Sequence, residues 1–215
     1  MAFSQRLLAA AQPVWQASVA HPFVQEMAAG TLPKEKFGFW VQQDYLFVAD
    51  ARKFLGLLLA RAEDEEIYRR LTQFLAGLEL ELELFRTYAR DNNLSLTLAM
   101  APVCRGYADF MLARAALGSF DEAMTALYAA EKAYYDAWRT VRDRTSPQGP
   151  YARWIANWSS DAFRQWVDWL AAALDRLTAG KPETELARLE KIFLTTARYE
   201  YLFWDMTYRQ QQWPV

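Results

Sequence analysis

The sequence predicts an all-α protein. Apolar residues recur at alternating steps of three and four through most of the chain, the signature of helices with one buried face. The 215 residues include only 8 Gly and 8 Pro, too few for a β fold that needs a turn signal every few residues. No segment reads as a strand, an internal repeat or low-complexity sequence. Hydrophobic residues make up 53% and aromatics 15%, enough to close a sizeable core and to exclude a disordered chain.

The elements follow in order. A first helix is expected from Ser4, a candidate N-cap, to about Ala20, kinked or broken by Pro13 and ended by His21-Pro22. Gly30 to Pro33 reads as a turn that opens a long helix to about Arg61, with Phe37, Trp40, Asp44, Phe47, Ala51, Phe54 and Leu58 on one face. A third helix spans Asp64 to Ala89, with a face of Leu71, Leu75, Leu78, Leu82 and Phe85 that leaves Glu81 at the surface. Pro102 opens the next helix and Gly118 ends it. Ser119 and Glu122 form a capping box for a helix to about Arg144. Ser146-Pro147-Gln148-Gly149-Pro150 is a loop. Ser160 caps a helix with Phe163, Trp166, Val167, Leu170 and Leu174 on one face, stopped by Gly180. Pro182 begins the last helix, which ends near Trp213-Pro214. Seven or so helices with short loops make one domain over residues 1–215.

Composition excludes several functions. Lys plus Arg is 24 against 26 Asp plus Glu, a net charge of -2, so no basic field recruits nucleic acid or anionic lipid. The N-terminus lacks the apolar core of a signal peptide, and no apolar run reaches the length of a membrane span. One cysteine cannot form an internal disulfide, which points to a reducing, cytoplasmic location. The single histidine, His21, excludes a His-rich metal site or a di-iron bundle. Its place before Pro22 favours capping or turn packing over haem ligation. No phosphate-binding Gly-rich loop is present, and no metal or cofactor is expected.

Three carboxylates stand out. Asp44 lies on the apolar face of its helix whether that face is drawn through Trp40 and Phe47 or through Val41 and Val48. A carboxylate facing a core needs a partner, so Asp44 reads either as ligand-facing or as a structural ion pair or rim residue. Glu200 falls on the row Phe193, Thr196, Phe203, Thr207, and Glu131 on the row Met124, Leu127, Tyr134, Trp138. For each an adjacent row is nearly apolar without it, so periodicity favours rim or solvated positions for both. The aromatic excess fits a core and equally the wall of a small-molecule pocket.

The runs His21-Pro22-Phe23-Val24-Gln25-Glu26-Met27, Gly30-Thr31-Leu32-Pro33 and Phe39-Trp40-Val41-Gln42-Gln43-Asp44-Tyr45-Leu46 resemble the TenA/thiaminase II family. So does the C-terminal stretch Arg198-Tyr199-Glu200-Tyr201-Leu202-Phe203-Trp204-Asp205-Met206-Thr207-Tyr208 with its closing Trp213-Pro214. The resemblance covers nearly the whole chain. It implies a haem-oxygenase-like helical bundle, assembled as a homotetramer, that acts on a 4-amino-2-methylpyrimidine in thiamine salvage. Carried over residue by residue, it makes Asp44 the group that binds the aminopyrimidine and Glu200 an acid or base. Phe47, Tyr107 and Tyr134 match the aromatics that stack on or orient the ring, and Trp158 stands where the family has a tyrosine.

The departure is the nucleophile. Thiaminase-type members carry a Cys after an Ala-Leu-x-Pro run; here the run is Ala126-Leu127-Tyr128-Ala129, the matching column holds Ala130, and Glu131 follows. Cys104 lies in another helix. The chain therefore resembles the branch in which a Glu takes over near the lost Cys, linked to hydrolysis of aminomethyl and N-formyl-aminomethyl pyrimidines. Water is then the nucleophile, and two carboxylates, Glu131 and Glu200, divide the acid and base work while Asp44 holds the ring amino group. The competing readings are a cofactor-free oxidase of the same fold, which wants an Arg and His cluster, and a non-catalytic pyrimidine-binding or regulatory protein.

Overall fold

The computed structural model describes residues 1–145 and 149–215, so the expected loop at residues 146–150 is only partly among them. The described residues form helices α1 (Phe3–Val19), α2 (Pro22–Ala29), α3 (Lys34–Leu59), α4 (Glu65–Asp91), α5 (Pro102–Leu117), α6 (Phe120–Arg142), α7 (Ala152–Trp158), α8 (Asp161–Thr178) and α9 (Glu183–Arg209), with no strand among them. None of these helices is long and apolar enough to cross a membrane.

Local chemistry sets several helix ends. His21 Nδ1 accepts the Phe23 N–H at 3.2 Å and caps α2, which Pro22 opens. Gly30 closes α2 at φ 71°, a left-handed conformation that a side chain would strain. Asp64 caps α4 by accepting from Ile67 N at 2.9 Å, and Ser160 caps α8 by accepting from Phe163 N at 3.1 Å. Ser119 Oγ accepts from Glu122 N at 3.2 Å, the serine half of the expected box. Ser4 sits inside the first turn of α1, behind Ala2 as cap, and Pro13 lies inside the helix without ending it.

The chain falls into two compact units, residues 1–32 with 124–205 and residues 33–123 with 206–215. In the first, α6 is enclosed on nearly every side from Met124 to Ala130, with Tyr128 and Trp138 deep in the core. Ser4 donates its backbone N–H (2.7 Å) and its hydroxyl (2.8 Å) to the Asp175 carboxylate, tying the start of α1 to α8. Arg6 reaches Glu190 at 2.9 Å on α9. Trp15 stacks on Phe193 with ring centroids 5.6 Å apart.

In the second unit α3 packs on both α4 and α5. Trp40 meets Phe85 at 5.8 Å between centroids, and Phe37 meets Tyr88 edge-on at 5.3 Å. The buried face of α4 is Leu71, Leu78, Leu82 and Phe85, as the periodicity predicts, with Leu75 half-buried; Glu81 is half-buried too rather than on the surface. Arg61, just beyond α3, donates to Ala115 O (2.6 Å) and Gly118 O (2.9 Å), satisfying carbonyls at the C-terminal end of α5.

Candidate active site

The residues expected to bind and process a ligand form two groups, one in each compact unit. The first lies on α3 and α5. Asp44 is 3% exposed, so both apolar rows drawn through it on α3 face the interior. Phe47, one turn on, lies against Tyr107 of α5 with centroids 4.6 Å apart and planes inclined by 31°. Cys104 is one turn before Tyr107, and its thiol donates to the Gln43 carbonyl at 3.4 Å. Burial pushes the Cys104 thiol well above its ordinary range, and the nearby Asp44 carboxylate pushes it the same way. It is thus a buried, protonated thiol, and Ala130, expected from the resemblance to stand where thiaminase-type members carry a cysteine, offers only a methyl group.

The second group lies on α6, α7 and α9. Tyr128 of α6 meets Phe193 of α9 (5.7 Å), and six residues on Tyr134 stacks on Trp204 (5.7 Å, 12° between planes). Glu131 lies between the two contact points on α6, and Glu200 between them on α9. Glu200 is 4% exposed. Glu131 is half-buried, and its Oε2 accepts the Trp166 indole N–H from α8 at 3.0 Å. Trp158 presents its plane at 89° to Tyr134 with centroids 5.2 Å apart, and is itself stacked by Trp138 and Trp154.

The second group thus contains one buried and one half-buried carboxylate, and its Tyr134 packs with Trp158 and Trp204. A family model described as TENA/THI-4/PQQC matches residues 8–210. The chain belongs to the TENA/THI-4/PQQC family. Among members of that family, it is 34% identical to the aminopyrimidine aminohydrolase of Halalkalibacterium halodurans over 99% of this chain and 98% of that one. It is 33% identical to the Helicobacter pylori protein of the same name, over 97% of this chain and all of that one. The solved TenA homologue from Pyrococcus furiosus superposes with a TM-score of 0.91 at 34% identity, covering 95% of this chain and 99% of that one. The all-α, bundle-type fold expected from the sequence is therefore the family's fold.

Within this family member, periodicity misjudged Glu200. The row that contains it, Phe193, Thr196, Phe203 and Thr207, is buried throughout, whereas the competing row breaks at half-buried Tyr199. For Glu131 the rim reading is nearer, because the carboxylate is half-buried. Sequence reasoning did not single out Trp166 and Trp204 as site residues. Both had a signal: Trp204 lies one turn after Glu200, and a buried indole N–H demands an acceptor. His21 is committed to structure, with Nδ1 on the Phe23 amide and Nε2 3.6 Å from Asp205 Oδ1. Among the described residues no group of three or more His, Cys, Asp and Glu could hold a metal ion. An open cleft of about 410 Å³ is lined by Leu46, Ala49, Asp50, Arg105 and Trp213 among others, none of them an expected site residue.

Proposed function

We propose that this protein is an aminopyrimidine aminohydrolase of thiamine salvage, acting on aminomethyl or N-formyl-aminomethyl derivatives of 4-amino-2-methylpyrimidine. The observation that carries the reading is the burial of Glu200 beside an aromatic stack, in a chain whose relatives over nearly their full length bear that name. A buried carboxylate is costly, and a role in proton transfer accounts for its retention.

Water is the nucleophile. With the free amine as substrate, its oxygen forms a bond to the methylene carbon as the carbon–nitrogen bond breaks; its proton reaches the departing nitrogen, giving the hydroxymethyl pyrimidine and ammonia. With the formyl amide, the oxygen bonds the formyl carbon and the products are formate and the aminomethyl pyrimidine. Each route needs one base to take the proton from water and one acid to protonate the leaving amine. Glu131 and Glu200 fill these roles in different surroundings: the Trp166 N–H lies on Glu131, and Glu200 is deeply buried. Asp44 holds the ring amino group, Phe47 and Tyr107 hold the ring face, and Tyr134 and Trp158 shape the aromatic wall; these five roles rest on the family resemblance.

Glu131→Gln and Glu200→Gln should each lower turnover by about 10²- to 10⁴-fold while the pyrimidine still binds. Full activity in Glu131→Gln would remove it from the mechanism. The oxidase reading asks for a histidine in the site, and the one histidine is used as a helix cap. The resemblance also supports a cytoplasmic homotetramer acting as one functional domain per chain; light scattering at four times the monomer mass is the expected result.

A further inference from the structure

The segment between α4 and α5 is laid along one stripe of α3. An ideal Cβ on Gly38 would lie 3.3 Å from Leu94 Cδ1, so glycine lets this segment approach closely. One turn on, Gln42 Nε2 donates to Ser95 O at 2.8 Å. The next residue, Gln43, grips both sides of the turn into α5: its Nε2 donates to Ala99 O (3.3 Å) and its Oε1 accepts from Ala101 N (2.7 Å). Ala101 is the N-cap residue of α5, with no side-chain cap of its own, so Gln43 supplies in trans an acceptor at that helix end. The Gln43 side chain is 1% exposed, and its backbone carbonyl takes the Cys104 thiol proton. From outside, Trp213 Nε1 donates to Met100 O at 2.9 Å, holding the residue between the two that Gln43 binds.

We infer that Gln43 is a positioning residue for ring recognition, acting through α5: it fixes the start of that helix against α3 and so sets the 4.6 Å approach of Tyr107 to Phe47. Trp213 completes the clamp from the C-terminal tail. The inference rests on the reading of the chain as an aminopyrimidine hydrolase. A buried amide with both ends engaged has no role if α5 is held by apolar packing alone, because an isosteric apolar side chain would then fill the space without polar desolvation. Small displacements of a stacking pair weaken ring binding without touching the groups that move protons.

The test uses the full chain with Gln43→Met, which keeps the volume and removes both hydrogen bonds, and Trp213→Phe, which removes only the outer one. Three readouts are taken: KM and kcat for the aminomethyl pyrimidine, and the rate at which a maleimide labels Cys104, the only cysteine. Gln43→Met should raise KM about tenfold with kcat within about twofold of wild type, and Cys104 should label faster. Trp213→Phe should shift KM and labelling in the same direction by less. An unchanged KM, or a loss of kcat alone, would overturn the inference. If Gln43→Met does not fold, Trp213→Phe decides by itself, at a position half open to solvent (53% exposed). If wild type hydrolyses no aminopyrimidine, the functional reading fails separately; the clamp is then judged by Cys104, and unchanged labelling in both variants overturns it.

Discussion

A carboxylate's role depends on what its helix faces, and Glu131 and Glu200 show how little of that a single helical row reveals. Both sit on rows that compete with an apolar neighbour, yet one is buried and the other half-buried. The difference lies in the partners. Glu200 is enclosed because Phe193 on its row packs Tyr128, and Trp204, one turn on, stacks on Tyr134. Glu131 keeps an indole N–H from α8 on one oxygen. A hydrogen bond to a charged group is worth about 1.5–3 kcal/mol, so Trp166→Phe should lower kcat about tenfold or more if Glu131 must ionise in the cycle. Steady-state kinetics, with the helical circular dichroism spectrum unchanged, is the check; wild-type kcat would place Glu131 outside the chemistry.

At the scale of elements, the long helices follow from their start and stop residues, and the two short ones do not follow from periodicity. Helices α2 and α7 have 8 and 7 residues, below the window in which a 3.6-residue repeat can be recognised. Even so, α2 carries its signals in His21, Pro22 and Gly30, which read separately as a helix stop and a turn. For α7 the support is tertiary, since Trp154 and Trp158 stack and Trp158 packs on Trp138. The α5–α6 junction is tighter. A Cβ on Gly118 would lie 2.7 Å from Arg114 O and would also crowd Glu122, which pairs with Arg114 at 3.2 Å. Gly118→Ala should therefore cost about 1–3 kcal/mol, seen as a melting temperature lower by several degrees.

For the molecule as a whole, buried acids such as Cys104 and Tyr128 make stability fall at alkaline pH. Burial raises the Cys104 thiol above its ordinary 9.0 and the Tyr128 phenol above its ordinary 10.0. Below pH 9 both are protonated folded and unfolded, and stability is indifferent to them. Above it the unfolded thiol ionises while the folded one stays neutral, so stability falls as pH rises, by about 1.4 kcal/mol per unit for each such group. Cys104→Ser removes the first of these groups; its urea-unfolding profile between pH 8.5 and 10 should be flatter than that of wild type. Equal slopes would mean that Cys104 ionises as readily folded as unfolded.

What the sequence determined by itself is the helical class, the long elements, the caps at Ser119 and Ser160, and, through the two end motifs, the family. These rest on short-range order: a cap needs three residues and a helical face needs two turns. Asp44 was legible as a carboxylate on an apolar face because both candidate rows pass through it. The tertiary structure alone decided that Glu200 is interior, that Trp166 bonds Glu131, and that Gln43 bonds both sides of the start of α5. Each of these joins residues far apart in the chain, so the partner that fixes a side chain's environment lies outside any local window.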